Sequence, residues 1–364
     1  MTSKDRLLAL GLMSGTSCDG VDAALVETDG REAITCGPWL SEPYDAAFHD
    51  RLRSVLGGRG DIATVERELT ERHAHAVRNL LTRQGIAAST VDVVGFHGQT
   101  VLHEPERGRT WQIGDGPLLA RLTGIDVVND FRSADVAAGG QGAPFVPLFH
   151  AALAAALPRP LGVLNIGGVA NVTWIGEAGV EGELIAFDTG PGNAMLNDWT
   201  LRHTGRPADI GGALASGGRV DAGALSALLR HPYFERPAPK SLDRDAFDPA
   251  PLERLSPADG AATLVAFTAA AVARAQSLFP RPVNRWLVAG GGRHNPTIMA
   301  ALAERVGTPV APVEAVGWDG DALEAQAFAY LAVRSLHGLP LSLPTTTGVS
   351  RPLTGGKRHP ARGR

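Results

Sequence analysis

The stretch GLMSGTSCDG, residues 11 to 20, decides how the fold begins. It lies between two short apolar runs, RLLALGLM and VDAALVET, and it ends in an Asp-Gly pair, which favours a tight hairpin turn. The pattern predicts a strand, a loop and a second strand. Glycine leaves backbone N–H groups uncovered, and Ser14, Thr16 and Ser17 add hydroxyl donors, so the loop is suited to hold phosphate oxygens.

Length and composition limit the classes of protein to consider. A chain of 364 residues predicts two domains. A net charge of −4 supplies no basic field for nucleic acid, and no apolar run approaches the roughly 20 residues that cross a bilayer. The chain has two cysteines, Cys18 and Cys36, and no charged and apolar leader, which favours a reducing, cytoplasmic location. Its 44 glycines predict many tight turns in a ligand-binding α/β protein.

Hydrophobic periodicity places the main elements and the domain boundary. Helices are predicted at 46–56, 62–84, 193–203, 259–279 and 321–337. The glycine-rich run AAGGQGAPFVP at 137–147 interrupts the pattern, which predicts a first lobe over 1–138, joined by a segment at about 345–356, and a second lobe over 139–344. The basic end GGKRHPARGR is predicted to be a solvated, mostly disordered tail.

The second lobe begins like the first. PLGVLNIGGVANVTWIG contains an apolar run, a glycine turn and a second apolar run, and the further run ELIAFDTG follows. Many pairs of hairpins would share this pattern, but two such starts roughly 150 residues apart fit a duplicated domain. The expectation is an α/β fold of two related lobes.

Glycine-rich turns recur in MSGTSCDG, NIGGVAN, DTGPGN and AGGGRHN. Each turn alone is explained by tight chain reversal, whereas the four together favour a nucleotide site. None has the Gly-x-x-x-x-Gly-Lys-Ser/Thr or Gly-x-Gly-x-x-Gly pattern, which disfavours the two common nucleotide folds. The turns of the second lobe that are predicted to bind the nucleotide contain Gly167, Gly168, Gly190, Gly192, Asn193, Gly290, Gly291 and Gly292.

Asp188 follows the apolar run LIAF and precedes TGPGN. A polar side chain at the end of a strand suits a catalytic carboxylate, but an Asp there also suits a helix N-cap. Phosphoryl transfer needs held phosphates, Mg²⁺ and one carboxylate near the attacking oxygen. The glycine turns and Asp188 would supply those parts.

Other polar residues have two interpretations each. His97 and His103 lack companion ligands at metal spacing, so structural or sugar contacts are favoured over metal. Arg132 and Asp135 form either an anion and sugar grip or a loop salt bridge, and taken alone the salt bridge is favoured. Glu324 lies near the start of the final helix, where the helix dipole alone stabilises a carboxylate.

The motifs together resemble one family. They are GLMSGTSCDGVDAAL, GFHGQTVLHEP, WQIGDG, DFRSADVAAGGQGAPFVP, LNIGGVANVT, FDTGPGNAMLNDW, VAGGGRHNPTIM and GDALEAQAFAYLA, in order from about residue 8 to about residue 355. The set resembles the anhydro-N-acetylmuramic acid kinases of bacterial cell-wall recycling. The resemblance implies an actin, sugar kinase and Hsp70 type of fold, with two ribonuclease-H-like lobes of mixed β-sheets flanked by helices and an ATP cleft between them.

The resemblance also implies an activity. The family uses ATP and water to open 1,6-anhydro-N-acetylmuramic acid and yields N-acetylmuramic acid 6-phosphate and ADP. Its members are usually homodimers, so the resemblance also implies a homodimer. Two other functions stay open. One is a kinase of another amino sugar or a polyol that opens no ring, and the other is a non-enzymatic, nucleotide-switched protein like actin or Hsp70.

Site residues follow from the matching motifs. Asp188 resembles the family's catalytic base, while Thr100, Arg132 and Glu324 match positions that grip or orient the sugar. Gly290 to Gly292 match positions where the family makes room for the adenosine. The ATP phosphate segment corresponds to Ser14, Gly15, Thr16, Ser17, Cys18, Asp19, Gly20, Val21 and Asp22, with Asp19 as a Mg²⁺ partner through water. Cys18 stands where the family often has leucine, and the loop lacks the Asp-x-Gly-x-Thr form of related kinases, which leaves the metal ligand open.

Overall fold

The chain folds into two compact units. The computed structural model describes residues 6–15, 17–177 and 183–361. Unit 1 contains the chain up to Ala156 and again from Ala322 onward, and unit 2 is Leu157–Asp321. The predicted boundaries after residues 138 and 344 are therefore wrong. The glycine-rich run stays inside unit 1, and the final long helix, α11 (Leu323–Leu336), packs on the sheet of unit 1.

Unit 1 is a mixed sheet with helices on it. Its strands are β1 (Leu7–Ser14), β2 (Gly20–Thr28), β3 (Ile34–Pro43), β4 (Val93–Glu104), β5 (Arg109–Ile113), β6 (Val127–Asn129) and β12 (Lys357–His359). Its helices besides α11 are α1 (Ala46–Ser54), α2 (Ile62–Gln84), α3 (Gly116–Thr123), α4 (Ser133–Ala137), α5 (Pro147–Leu153) and α12 (Pro344–Thr347). The strand order is β12-β6-β4-β1-β2-β3, with β5 paired to β4.

Unit 2 contains a second mixed sheet. Its strands are β7 (Leu161–Ile166), β8 (Val169–Ile175), β9 (Leu184–Pro191), β10 (Arg285–Ala289) and β11 (Val310–Pro312), in the order β11-β10-β7-β8-β9. Its helices are α6 (Ala194–Thr204), α7 (Ala213–Ser216), α8 (Ala222–Leu229), α9 (Pro257–Ala275) and α10 (Pro296–Val306).

The two sheets share one topology. In each, the first three strands form an antiparallel meander, β1-β2-β3 or β7-β8-β9. Two later strands then add in parallel beside the first, β4 and β6 or β10 and β11. The parallel strands need long connections, which contain helices. The predicted class, two related ribonuclease-H-like lobes with mixed sheets flanked by helices, is confirmed by this repeated order.

Helix α11 lies directly on the central strands of unit 1. A methyl group on Gly11 of β1 would lie 1.7 Å from the carbonyl oxygen of Ala325 in the helix. A methyl group on Gly95 of β4 would lie 2.0 Å from the carbonyl oxygen of Phe328. Only glycine permits so close an approach of helix and strand backbones. The helix was predicted at nearly its observed bounds, but its position in the fold depends on these two glycines.

Two further helices show which predictions local signals support. Helix α2 has the predicted bounds because Asp61 accepts a hydrogen bond from the Thr64 N–H at its start and Gly85 ends it in the left-handed conformation.

Helix α9 with its 3-10 extension to Leu278 is long and apolar enough to cross a membrane by length and composition. However, 72% of the most apolar stretch of this helix is buried inside the protein, as in a core helix.

Residues 355–361 of the basic end are ordered, so the prediction of a mostly disordered tail is wrong for them. Strand β12 pairs antiparallel with β6. The Arg358 guanidinium lies 2.6 Å from the Asp126 carboxylate, which also accepts the Ala361 N–H at 2.9 Å. The segment thereby covers the exposed edge of β6 and pairs a buried carboxylate, which would otherwise be costly. Residues 362–364 lie outside the described residues.

Candidate active site

The predicted phosphate and sugar segments of unit 1 follow or lie near the carboxyl ends of parallel strands. β1, β4 and β6 run parallel, so their carboxyl ends meet at one edge of the sheet. The loop 15–19 follows β1, Thr100 lies in the last part of β4, and Arg132 follows β6. The Oγ1 of Thr100 accepts a hydrogen bond from Gln112 Nε2 at 3.2 Å.

Ser14 stabilises the start of the predicted phosphate loop through buried hydrogen bonds. Its side chain is 1% exposed, and its Oγ donates to Gln99 Oε1 at 2.7 Å and bonds the Tyr44 hydroxyl at 2.8 Å. Gln99 Nε2 in turn donates to the Gly15 carbonyl oxygen at 3.1 Å. The Ser14 hydroxyl is thus engaged within the protein, and it holds the loop where a direct phosphate contact had been predicted.

Two loop side chains face solvent. Ser17 and Asp19 are exposed, and Ser17 Oγ donates to Asp19 Oδ1 at 2.8 Å. The backbone of Asp19 is fixed because its carbonyl oxygen accepts the Tyr44 N–H at 2.8 Å. Thr16, predicted to contact phosphate, lies outside the described residues.

Cys18 turns inward from the same loop. It has a φ of +58°, which L-residues other than Asn, Asp and His rarely adopt, and its side chain is 1% exposed in an apolar cluster with Phe48 and Leu52. Burial raises the pKa of the thiol to about 11, so the group stays neutral. An apolar position of this kind suits leucine equally well, which accounts for the departure from the family pattern.

The end of the phosphate segment enters β2. Gly20 sits against β3, where a methyl group would lie 2.6 Å from the Glu42 carbonyl oxygen. Val21 is buried in the apolar core, so only its backbone is available to a ligand. Asp22 is half-buried, and its negative charge raises the pKa of Glu324, which lies in the first turn of α11.

Glu324 and Arg132 form a charged group with Asp22. The Glu324 side chain reaches solvent, but the surrounding protein limits the hydration of its carboxylate and raises its pKa. Arg132 opposes that rise, and the negative charge of Asp22 adds to it. Arg132 offers hydrogen-bond donors and Glu324 offers carboxyl oxygens as acceptors, which suits recognition of sugar oxygens.

Arg132 is held in place by its neighbours. Its Nε donates to His97 Nε2 at 3.1 Å, and its Nη1 donates to the Gly142 carbonyl oxygen at 2.7 Å. His97 Nδ1 donates to the Gly98 carbonyl oxygen at 2.8 Å. Burial and the Arg132 charge hold the pKa of His97 well below its ordinary value. The neutral imidazole therefore accepts from Arg132, and His97 has the structural role that had been left open.

Asp135 braces the glycine-rich segment. Its Oδ1 accepts the Gly142 N–H at 2.7 Å and its Oδ2 accepts the Thr347 hydroxyl at 2.6 Å. These contacts join the segment to α12, whereas a salt bridge to Arg132 had been favoured. Within residues 6–15, 17–177 and 183–361, no three His, Cys, Asp or Glu side chains group as metal ligands.

The glycine turns of unit 2 converge. β7, β9 and β10 run in one direction, so the turns after them share one edge of the sheet. The Asn193 N–H donates to the Gly167 carbonyl oxygen at 2.7 Å, and the Gly192 N–H donates to that of Gly168 at 3.0 Å. Gly290 adopts a φ of +74°, and a methyl group on it would lie 2.3 Å from the Asn165 side chain. The turns after β7, β9 and β10, which were predicted from separate motifs, therefore lie next to one another at this edge of the sheet.

A pocket of about 250 Å³ opens beside these turns. It is lined by Asn193, Leu196, Asn197, Ala208, Asp209, Ile210, Gly211, Gly291, His294 and Asn295. It therefore joins the turn after β9 to the turn after β10. Gly190 packs elsewhere, since a methyl group on it would lie 2.7 Å from Ala271 of α9. Gly190 thus permits close packing against α9, and its contact with nucleotide stays a prediction.

Arg293 fixes the turn after β10. Its guanidinium is buried, and its Nη1 donates to the Gly290 carbonyl oxygen at 3.1 Å. It also pairs with Glu314 and Asp321, each at 2.8 Å. Hydrogen bonds to Arg293 lower the pKa of Asp321, so the pair is charged at neutral pH. The sequence analysis missed this residue because its partners lie in later loops.

Asp188 lies within β9, not at its end as predicted. The strand continues to Pro191, with Thr189 as an extra residue between the pairs Asn171–Asp188 and Ala170–Gly190. A bulge of this kind redirects neighbouring side chains and is frequent near active sites. The Asp188 Oδ2 accepts the Leu242 N–H at 2.7 Å, which contradicts the N-cap interpretation.

A segment that the sequence analysis missed holds Asp188. The Lys240 carbonyl oxygen accepts the Asp188 N–H at 2.9 Å, and the Tyr233 hydroxyl donates to the Asp188 carbonyl oxygen at 2.6 Å. The Lys240 side chain is buried over the Tyr233 ring, and desolvation lowers its pKa to about 8. The segment is proline-rich and irregular, so its only sequence signal was the absence of periodicity.

Comparison with known proteins decides the family. A family model described as anhydro-N-acetylmuramic acid kinase matches residues 7–361. The chain belongs to the anhydro-N-acetylmuramic acid kinase family. It is therefore an enzyme, a phosphotransferase.

Relatives of the same name support the assignment. The anhydro-N-acetylmuramic acid kinase of Paramagnetospirillum magneticum is 60% identical over 356 residues, which cover 97% of this chain and 99% of that protein. The one of Rhodospirillum rubrum is 60% identical over 358 residues, with 97% and 94% coverage. Among solved structures, a ROK hexokinase from Thermus thermophilus is 17% identical with a TM-score of 0.41, covering 90% of this chain and all of that one.

Proposed function

We propose that this protein is an ATP-dependent kinase that opens 1,6-anhydro-N-acetylmuramic acid with water and phosphorylates O6. The products are N-acetylmuramic acid 6-phosphate and ADP. Family membership supports the kind of reaction, and the observation that carries the assignment of roles is the convergence in unit 2. There, the strand that contains Asp188 continues into a glycine turn that lines the 250 Å³ pocket.

The substrate requires an unusual use of the base. In a 1,6-anhydro sugar, O6 is an ether oxygen and has no proton to remove. Asp188 instead takes a proton from water as the water oxygen forms a bond to C1. The C1–O6 bond breaks, O6 bonds to the γ-phosphorus, and the γ-phosphorus bond to the β,γ-bridging oxygen breaks to release ADP. General-base catalysis of this kind contributes about 10²- to 10⁴-fold in rate.

Binding roles follow from each unit's own geometry. In unit 1, Arg132 has a fixed orientation and lies within the field of Glu324, which suits a grip on the oxygens of the sugar. In unit 2, Gly291, in the turn Gly290 to Gly292, lines a pocket suited to the adenosine. The loop 15–19 supplies backbone N–H groups and the Ser17 hydroxyl to the phosphates.

The loop also fits Mg²⁺. The Asp19 carboxylate is exposed on the phosphate loop, and oxygen ligands with retained waters are what Mg²⁺ prefers. Asp19 would hold the ion through water, and the bound ion would neutralise charge on the phosphates. The chain's own groups carry the proton transfer and the orientation of the sugar.

Isotope labelling tests the reaction. In H₂¹⁸O, we expect a short incubation with ATP and the anhydro sugar to place one ¹⁸O atom at C1 of the product and none in the phosphate, as read by mass spectrometry. Unlabelled N-acetylmuramic acid 6-phosphate in the same water corrects for exchange at C1. Label in the phosphate, or none above exchange at C1, contradicts the proposed reaction.

Substrate choice separates the proposal from its nearest rival. A kinase of an open amino sugar would release ADP with N-acetylmuramic acid or N-acetylglucosamine and leave the anhydro sugar unused. A nucleotide-switched protein would hydrolyse ATP without any dependence on sugar. A coupled assay of ADP release with the three sugars distinguishes these outcomes.

Arg293 offers a test of the adenosine assignment. We expect Arg293→Ala to raise the KM for ATP about tenfold, equivalent to roughly 1.4 kcal/mol, because the Gly290 turn loses its brace. The KM for the anhydro sugar should stay within twofold. Arg305→Ala, on an exposed position of α10, is the matched control. Equal changes in both KM values would contradict a role specific to the nucleotide.

A cytoplasmic location and a homodimer complete the proposal. Cys18 and Cys36 are not joined in a disulfide, which suits a reducing compartment. The homodimer rests on the family resemblance alone.

A further inference from the structure

Asn171 lies beside Asp188 in the sheet of unit 2. In the antiparallel pairing of β8 with β9, Asn171 is directly opposite Asp188, and in the pairing of β8 with β7 it is opposite Asn165. Residues that face each other in this way have their side chains on the same face of the sheet, with Cβ atoms about 4.5 to 5.5 Å apart. Asn165, Asn171 and Asp188 therefore form a polar row across three strands.

The opposite face of the sheet is apolar. Leu164, Val172 and Phe187, which alternate with the three polar residues, point to the opposite face and are buried in the core of unit 2. Asn165, Asn171 and Asp188 are each only half-buried. One end of the row reaches the nucleotide turn, since Asn165 Oδ1 is the group that a methyl on Gly290 would strike. The other end is Asp188.

The Asn171 side chain carries an unsatisfied group. Its Oδ1 is buried and, among the described residues, has no hydrogen-bond partner. A buried acceptor without a partner costs free energy, so such groups are rare and are frequently satisfied by water or by a ligand. Asn171 Oδ1 is thus a buried acceptor without a partner among the described residues, and its residue lies across the strand pair from the carboxylate that is proposed to take a proton from water.

We propose that Asn171 holds the attacking water together with Asp188. One O–H of the water points to the Asp188 carboxylate and the other to Asn171 Oδ1. With both hydrogens held, a lone pair of the water oxygen is directed at C1. The proton passes to Asp188, and Asn171 stays neutral throughout because an amide does not titrate in this range. The inference rests on the proposed function, in which Asp188 is the base.

The first test is the kinetics of Asn171→Ala in the full chain. Loss of one anchor of the water should lower kcat about 10- to 100-fold while both KM values stay within threefold, since ground-state binding is untouched. Thr173→Val is the matched control, because Thr173 lies on the same face of β8 two residues farther along. It should leave kcat within twofold. A kcat for Asn171→Ala within threefold of wild type, or a change confined to KM, would overturn the inference.

The second test is Asn171→Asp, which preserves shape if alanine impairs folding. A second carboxylate beside Asp188 makes ionisation of the pair harder, so the acid limb of kcat against pH should move upward by about one pH unit. Tyr233 and Lys240, the neighbours of Asp188, are the same in both proteins and cancel in the comparison. An unmoved limb would reject the shared water. Asp188→Asn separates the levels: if it stays active, the proposed role of Asp188 as the base fails, and if it is inactive while Asn171→Ala is normal, only the inference about Asn171 fails.

Discussion

Replacing Asp188 by Asn should lower kcat by about 10²- to 10⁴-fold, the range typical of a lost general base. The substitution preserves shape and leaves an oxygen to accept the Leu242 N–H now bound at 2.7 Å. The hydrogen bonds from Asp188 to Lys240 and from Tyr233 to Asp188 involve only the backbone of Asp188, so the substitution leaves them unchanged. The effect should therefore appear in kcat and hardly in KM or in the melting temperature. ADP release driven by the anhydro sugar is the measurement.

A matched control is available in the same unit. Asp198 on α6 pairs with Arg244 at 2.8 Å, and its side chain is 63% exposed. Exposed ion pairs contribute little to stability, so Asp198→Asn should keep both activity and melting temperature close to wild type. If Asp188→Asn retained more than a third of the wild-type kcat with this control intact, the base would have to be sought elsewhere.

The sequence predicted best what local signals determine. Helix α2 was predicted at its observed bounds because its N-cap Asp61 and its terminal Gly85 are adjacent to it in sequence. The glycine turns of unit 2 were recognisable one by one for the same reason. Their convergence at one edge depends on the common direction of β7, β9 and β10, which the sequence patterns did not establish.

Contacts between distant segments were beyond the sequence patterns. Ser14 was predicted to contact phosphate, but its hydroxyl is taken by Gln99, which lies 85 residues away. The residues that donate hydrogen bonds to Asp188, Tyr233 and Leu242, lie 45 and 54 positions later in the chain. A run of letters shows that a hydroxyl or a carboxylate is present, but it does not show which distant donor or acceptor satisfies it.

The domain boundary was misplaced for a related reason. Composition marks a glycine-rich run as a break, and 137–147 was read as a crossover between the lobes. Asp135 instead fastens this run to α12 within unit 1. The assignment of α11 to unit 1 depends on the size of the residues that face it, Gly11 and Gly95, which hydrophobic periodicity does not reveal.

Replacing Gly95 by Ala should destabilise unit 1 by about 3 kcal/mol, at the upper end for overpacking. The added methyl would lie 2.0 Å from the Phe328 carbonyl oxygen and 2.7 Å from its carbonyl carbon, and backbone atoms cannot rotate away as a side chain can. Helix α11 would have to move off the sheet. For a unit of this size, the melting temperature should fall by about 6 to 12 °C.

The same movement links the packing of α11 to the proposed sugar site. Glu324 lies in the first turn of α11, where it is influenced by Asp22 and Arg132. A displaced helix carries Glu324 away from both, so Gly95→Ala should also raise the KM for the anhydro sugar in whatever protein remains folded. Gly217→Ala is the control, because a methyl there meets nothing closer than 3.6 Å and the backbone φ is −83°. If Gly95→Ala melted within 2 °C of wild type, close contact between α11 and β4 could not be what positions Glu324.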